Sequence, residues 1–421
     1  MDVRAVRRIH TPPDATVAVP GSKSIANRAL VCAALARGRS ELTNVPDGDD
    51  TVAMLTCLRA LGLDAELAGD RVSVAGIGTD WSSEPHTLHA ALAGTTSRFV
   101  TALAALGRGP IVVDGHPPLR RRPFGPLHAA LAQLGVTVTP GEAYGNLPVT
   151  IEGPPTGGRV HIRGDVSSQY VTALMLVGPY LPGGLELRLT SELVSRPYVE
   201  LTAAVMTWFG IEGVSVGEDL IVVESGEYRP ADVGVEPDAS SASYPLAIAA
   251  VTGGRVTIEG LGTGALQGDA SFADVLAEMG CRVERSDRSV TVAGTGTLRG
   301  IDVDMADISD LVPTVAVLGA MAATTTRIRG VGFIRAKESD RLGDLAAELR
   351  RAGVEVDETD DGLEVRPSRP HGARLATHHD HRLAMAFAVL GTVVDGIEVE
   401  DPQVVSKSWP GFWDVLDGLT S

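Results

Sequence analysis

The chain has 421 residues, 44% of them hydrophobic and 4% aromatic, and a formal charge of −17 from 53 acidic against 36 basic side chains. Single cores stop growing near ~250–300 residues, so two domains are expected. The acidic balance excludes a general attraction to nucleic acid or to an anionic membrane, and any anion site must be a local cluster of cations.

Residues 3–19 read as strand material without an apolar leader, and no run of ~18 apolar residues follows, which predicts a soluble, cytoplasmic protein with neither signal peptide nor membrane span. Next comes a polar turn, Gly21-Ser22-Lys23-Ser24, opening a helix over 28–36 that is apolar on nearly every face. Such a helix is buried on all sides. A second phrase follows over 50–76: an amphipathic helix, a glycine stop and two short alternating strands. Both phrases then recur down the chain. Polar turns opening helices stand at Gly94-Thr95-Thr96-Ser97, Asp165-Val166-Ser167-Ser168-Gln169, Asp238-Ala239-Ser240-Ser241, Asp307-Ile308-Ser309-Asp310 and His379-Asp380-His381. The amphipathic phrase returns over 126–153, 198–224, 270–294 and 340–366. Its helices stop at Gly62, Gly135, Gly210, Gly280 and Gly353, 70 to 75 residues apart. Each glycine is expected to take the left-handed conformation that ends a helix.

That spacing divides the chain into six units. The sixth amphipathic copy starts at 413–418, where the sequence runs out, and residues 3–19 are expected to complete it. The predicted organisation is one domain of three repeats over 20–236 and a discontinuous one over 1–19 plus 237–421, hinged near 19–22 and 234–238. The polar N-termini of the six buried helices offer free N–H groups and positive dipole ends to anions.

Cys32, Cys57 and Cys281 lie in apolar helical patterns without metal-site spacing and read as buried small hydrophobes. Lysine is more informative. Lys23, Lys337 and Lys407 are the only lysines, against 33 arginines. Where arginine serves every other cationic need, the three survivors point to sites that need a compact, titratable ammonium. Lys23 with Ser22, Ser24 and Arg28 forms an anion cradle at a helix start, without the spacing of a Walker A loop. The run His378-His379-Asp380-His381-Arg382 lacks a second ligand group, so no metal is expected. Gly262, Gly264 and Gly268 have the wrong spacing for a dinucleotide loop. Arg120-Arg121-Arg122 lacks the aromatic interleaving of a nucleic-acid face.

Pro20-Gly21-Ser22-Lys23-Ser24, Arg28-Ala29-Leu30, Ala93-Gly94-Thr95 with Arg98, Arg122-Pro123, Ser167-Ser168-Gln169-Tyr170, Asp238-Ala239-Ser240-Ser241, Lys337-Glu338-Ser339-Asp340-Arg341 and Asp380-His381-Arg382 together resemble the motifs of the 5-enolpyruvylshikimate-3-phosphate synthases. They fall in family order over about residues 17–413. The resemblance implies an α/β fold of two inverse α/β domains, each of three pseudo-repeats with buried helices and small outer sheets. It also implies transfer of the enolpyruvyl group of phosphoenolpyruvate to the 5-hydroxyl of shikimate 3-phosphate, by addition and elimination through a tetrahedral intermediate. No cofactor and no metal are implied, and the partners expected are the two small-molecule substrates of a monomer, with no nucleic acid and no membrane.

By the same resemblance, Lys23, Ser24, Arg28, Ser167, Ser168, Gln169, Ser195, Tyr198, Asp310 and Lys337 hold shikimate 3-phosphate. Lys23, Gly94, Arg122, Gln169, Arg341, Arg382 and Lys407 meet phosphoenolpyruvate. Lys23, Asp310, Glu338 and His381 are the implied catalytic residues, with Asp310 taking the 5-hydroxyl proton and Glu338 with Lys23 handling proton delivery. The sequence departs from the family pattern at Leu92 and Phe333, where asparagine is usual, and at Phe99, where proline is usual. Leu92 and Phe99 are expected to flank Gly94 and reshape the phosphoenolpyruvate pocket, and Phe333 to remove a polar contact. The related transferase acting on UDP-N-acetylglucosamine carries a loop cysteine. The matching loop here, 115–126, has none.

Overall fold

A computed structural model describes residues 2–420. They form two compact units, one running from Gly21 to Val235 and the other combining the residues up to Pro20 with those from Glu236 onward. Each has its own apolar core.

The middle repeat of the Gly21–Val235 unit gives the building plan. Strand His86–His89 leads into the buried helix Gly94–Ala104, strand Ile111–Asp114, the outer helix Gly125–Gln133 and a pair of strands, Thr137–Pro140 and Val149–Glu152. The first two strands pair in parallel, Ile111–Asp114 pairs antiparallel with Val149–Glu152, and that strand pairs antiparallel with Thr137–Pro140. Five four-stranded sheets among the described residues follow this order. In the first repeat of each unit the leading strand comes from beyond the repeat. Asp232–Gly234 pairs with Arg37–Thr43, and Asp14–Val17 with Arg255–Glu259, both in parallel.

This arrangement corrects the expectation for residues 3–19. Only Val3–Ala5 completes the last repeat, antiparallel to Glu398–Glu400, while Asp14–Val17 serves a different sheet. Pro12 and Pro13 separate the two strands, since proline has no ladder donor and restricts the residue before it.

The repeat helices are buried as their composition demands. Every residue from Ile25 to Leu35 is buried in helix Lys23–Leu35, and every residue of helix His381–Gly391 likewise. The outer helices end at Gly62, Gly135, Gly210, Gly280 and Gly353, whose φ values of +90°, +83°, +87°, +103° and +82° are the left-handed stops anticipated. The fifth polar turn behaves differently from its siblings. Asp307-Ile308-Ser309-Asp310 lies in a 3-10 segment, Ala306–Leu311, kinked at Ile308, and the α-helix starts only at Val312. Pro313 explains the delay, because proline fits the first turn of a helix, where its missing N–H costs nothing. The three cysteines are buried and free. Cys281, however, follows the helix Phe272–Glu278 rather than lying in it. No helix among the described residues is long and apolar enough to cross a membrane.

Candidate active site

In the Gly21–Val235 unit, three buried helices begin with predicted site residues. Ser22 caps the first through the Ile25 amide at 3.5 Å, and Lys23, in its first turn, places Nζ 3.0 Å from Asp50 Oδ2. One helical turn on, Arg28 is 2% exposed. Its guanidinium donates to Thr202 Oγ1 (2.9 Å), Ser24 O (2.7 Å), Tyr198 O (3.0 Å) and Thr172 Oγ1 (3.3 Å). All four acceptors are neutral. Burial accordingly pulls the Arg28 pKa down to about 10. A buried cation without a counter-charge is costly, and an anion at its remaining N–H would lower that cost.

The second helix, Gly94–Ala104, has no side-chain cap, so its first N–H groups are left for a ligand. A Cβ at Gly94 would collide with the Arg122 guanidinium and lie 3.0 Å from Arg98 Nη1, so only glycine lets those groups approach the backbone. Ser167 caps the third helix through the Gln169 amide at 3.3 Å. The Gln169 side chain accepts from Arg98 Nη1 at 2.6 Å and donates to Thr95 Oγ1 at 3.2 Å, tying the second and third helix starts together. Ser168 and Ser195 are buried, and Ser195 takes φ +53° where the helix carrying Tyr198 begins.

The other unit gathers Asp310, Lys337, Glu338, Arg341 and Arg382 into one ionic network. Arg341, 1% exposed, donates from Nε to Asp380 Oδ2 (2.8 Å), from Nη1 to Asp310 Oδ1 (2.9 Å) and from Nη2 to Glu338 Oε2 (2.6 Å). Asp310 also accepts from Arg382 Nη2 at 2.6 Å and stands 3.4 Å from Lys337 Nζ. Burial alone would raise the Asp310 pKa, yet the charges of Arg382, Lys337 and Arg341 hold it well below the usual carboxylate range. Burial pushes Lys337 the other way, below the usual lysine value, against the pull of Asp310. His381 is 1% exposed with Nδ1 3.7 Å from Asp380 Oδ1. Lys407, also buried, ends the 3-10 segment Pro402–Lys407 packed on the His381 helix.

The sequence profile described as EPSP synthase (3-phosphoshikimate 1-carboxyvinyltransferase) matches residues 8–416. The chain belongs to this family. A 3-phosphoshikimate 1-carboxyvinyltransferase of Methanoculleus marisnigri is 43% identical over 409 residues, covering 97% of each chain. One of Nostoc punctiforme is 40% identical over 417 residues, covering 98% of each. The fold matches that of EPSP synthase from Acinetobacter baumannii with a TM-score of 0.80 at 24% identity, over 99% of this chain and 97% of the other. The enolpyruvyl transferase NikO from Streptomyces tendae gives 0.78 at 21% identity, with the same coverage.

The three departures from the family pattern have different surroundings. Leu92 is 43% exposed, whereas Phe99 is fully buried. The Phe99 ring lies under the Arg28 guanidinium, 5.5 Å from its centroid, so it acts in the core beneath that cation instead of shaping an opening beside Gly94. Lys337 Nζ sits 5.9 Å from the Phe333 ring, a cation–π contact at the position where the family usually has asparagine. Sequence reasoning left out Asp50, Arg98 and Asp380 as site residues. Asp380 carried a legible signal, since an Asp two positions before Arg382 at a helix start is a cap, and its Oδ1 indeed accepts the Arg382 amide at 2.9 Å. Asp50 carried none, because its pairing with Lys23 joins two different helices.

Proposed function

We propose that the chain catalyses transfer of the enolpyruvyl group of phosphoenolpyruvate to the 5-hydroxyl of shikimate 3-phosphate, releasing phosphate. The observation that carries this reading is the network centred on Asp310, an ionised carboxylate held by three cations, set in a chain of this family.

The chemistry is an addition followed by an elimination. C3 of phosphoenolpyruvate gains a proton, C2 becomes electrophilic, and the 5-oxygen attacks it as the hydroxyl proton departs. Loss of phosphate from C2 and of a proton from C3 then restores the double bond. Asp310 is the base for the hydroxyl, and Glu338 with Lys23 carries the proton to and from C3 and the bridging oxygen, while His381 stands beside Asp380 in the same machinery. In the empty enzyme Asp310 is a weak base because three cations hold its charge. An arriving carboxylate or phosphate draws Arg341, Arg382 and Lys337 toward itself, relaxes that hold and raises the basicity of Asp310 when the hydroxyl is in place.

Shikimate 3-phosphate is assigned to Lys23, Ser24, Arg28, Ser167, Ser168, Gln169, Ser195, Tyr198, Asp310 and Lys337. The neutral surroundings of Arg28 support a phosphate there. Phosphoenolpyruvate is assigned to Lys23, the Gly94 backbone, Arg122, Gln169, Arg341, Arg382 and Lys407, and the uncapped helix start at Gly94 supports it. A phosphate-release assay tests the proposal. Release that requires both substrates is expected, and release from phosphoenolpyruvate alone, or none with both, would overturn it.

A further inference from the structure

The residues just before the Asp380–Arg382 cap form an unusual turn. The Asp380 amide donates to Thr377 O at 2.8 Å, and the two residues between, His378 and His379, have φ +50° and +58°. Positive φ at both central positions is the pattern of a type I′ turn, which favours Asn and Gly and disfavours a residue with a bulky side chain. Histidine tolerates positive φ but suits it less well than Asn or Gly, so two in succession need contacts made elsewhere to hold the conformation.

His379 is exposed and its Nδ1 lies 3.2 Å from Asp401 Oδ2; the contacts to the packed helix are on His378. Its Nε2 is 3.1 Å from Glu348 Oε1 and its Nδ1 3.5 Å from Asp344 Oδ1, both on the helix Gly343–Arg351. Glu348 is buried, and its other oxygen accepts the Ala376 amide at 3.1 Å and faces Arg351 Nε at 3.2 Å. One carboxylate thus grips the chain on the near side of the turn through both a backbone amide and an imidazole. On the far side, Asp380 receives the Arg382 amide and Arg341 Nε. A shift of the turn would move the start of the Arg382 helix and loosen both.

We propose that His378 is a positioning residue for the reaction: clamped between Asp344 and Glu348, it holds the 377–380 turn in the conformation that presents Asp380 and Arg382. This rests on the assignment of Arg382 to phosphoenolpyruvate. His378 itself touches none of the assigned site residues among the contacts above, and it is half-buried.

The test compares His378→Asn and His378→Gly with the parent. Both suit a left-handed position better than histidine, and neither bridges two carboxylates. If the turn needs only an acceptable φ, both variants will match or exceed the parent. The clamp predicts the opposite: KM for phosphoenolpyruvate rises about tenfold, in line with the sensitivity of catalysis to displacements of about 1 Å, while KM for shikimate 3-phosphate stays within about twofold. Hydrogen exchange gives a readout independent of turnover, with the Asp380 and Arg382 amides expected to exchange at least about tenfold faster in both variants. Unchanged exchange at those amides would overturn the proposal even if the parent proved inactive on these substrates, an outcome that would instead fault the assigned reaction. Faster exchange with unchanged KM for phosphoenolpyruvate in an active enzyme would also overturn it, by reducing His378 to a structural role.

Discussion

Asp310 differs from a helix cap in its partners. A helix-capping aspartate would tolerate replacement by Asn, which caps comparably, but Asp310 instead faces Lys337, Arg341 and Arg382. Asp310→Asn should therefore lower kcat by about 10² to 10⁴ and cost about 1–3 kcal/mol in the empty enzyme, as three cations lose a shared carboxylate. Kinetics with a thermal melt on the same samples check this. A loss of stability with normal kcat would make Asp310 a structural charge only. Its depressed pKa means that its stabilising charge is complete above the unfolded value of about 4 and is lost only as pH falls through the lower folded value.

Asp269 has the opposite sign. It is 3% exposed and hydrogen-bonded by Ser240, and burial, with a smaller push from Asp310, raises its pKa to about 6. The folded state therefore binds a proton more tightly than the unfolded one. Stability should fall as pH rises from about 4 to about 6 and level off above, by an amount on the order of 2–3 kcal/mol. Asp269→Asn removes the titration, so its melting temperature should exceed the parent's at pH 7 and match it near pH 4. A variant less stable than the parent at both pH values would contradict the shift.

At the scale of elements, the repeat was legible because it rests on composition and glycine placement. All five glycine stops took positive φ. Their substitutions should separate backbone strain from crowding. Gly62→Ala meets no neighbouring atom and should cost only the left-handed penalty of about 1–2 kcal/mol. Gly135→Ala must also displace Thr156 Oγ1 and should cost more. Equal losses in a urea titration would contradict that distinction. Less was legible where tertiary pairing decides. Pro12-Pro13 marks a break within residues 3–19, but nothing local announces that the strands on either side join different sheets. The kinked start of the fifth helix was missed because the resemblance among the polar turns outweighed Pro313. In the site, helix starts such as Ser22-Lys23 and Ser167-Gln169 were readable as local patterns, whereas Lys23–Asp50 and Arg98–Gln169 join residues distant in sequence.

For the whole molecule, the two units differ in what they need from the rest of the chain. The unit from Gly21 to Val235 is continuous and supplies its own leading strand, Asp232–Gly234. The unit from Glu236 onward takes Asp14–Val17 and Val3–Ala5 into two of its sheets. An excised 21–235 fragment should unfold cooperatively in urea, while a 236–421 fragment should do so only when residues 1–20 are supplied. Cooperative unfolding of 236–421 alone would contradict the role given to those strands.

Transfer of the enolpyruvyl group to shikimate 3-phosphate by addition and elimination is tested most directly by product analysis, using mass spectrometry and proton NMR after incubating both substrates with the protein in deuterated water. The predicted product is the enolpyruvyl ether of shikimate 3-phosphate, formed with one equivalent of phosphate and carrying solvent deuterium on its methylene carbon, since C3 passes through a methyl group. Absence of the ether, or an ether whose methylene carries no deuterium, would contradict the account.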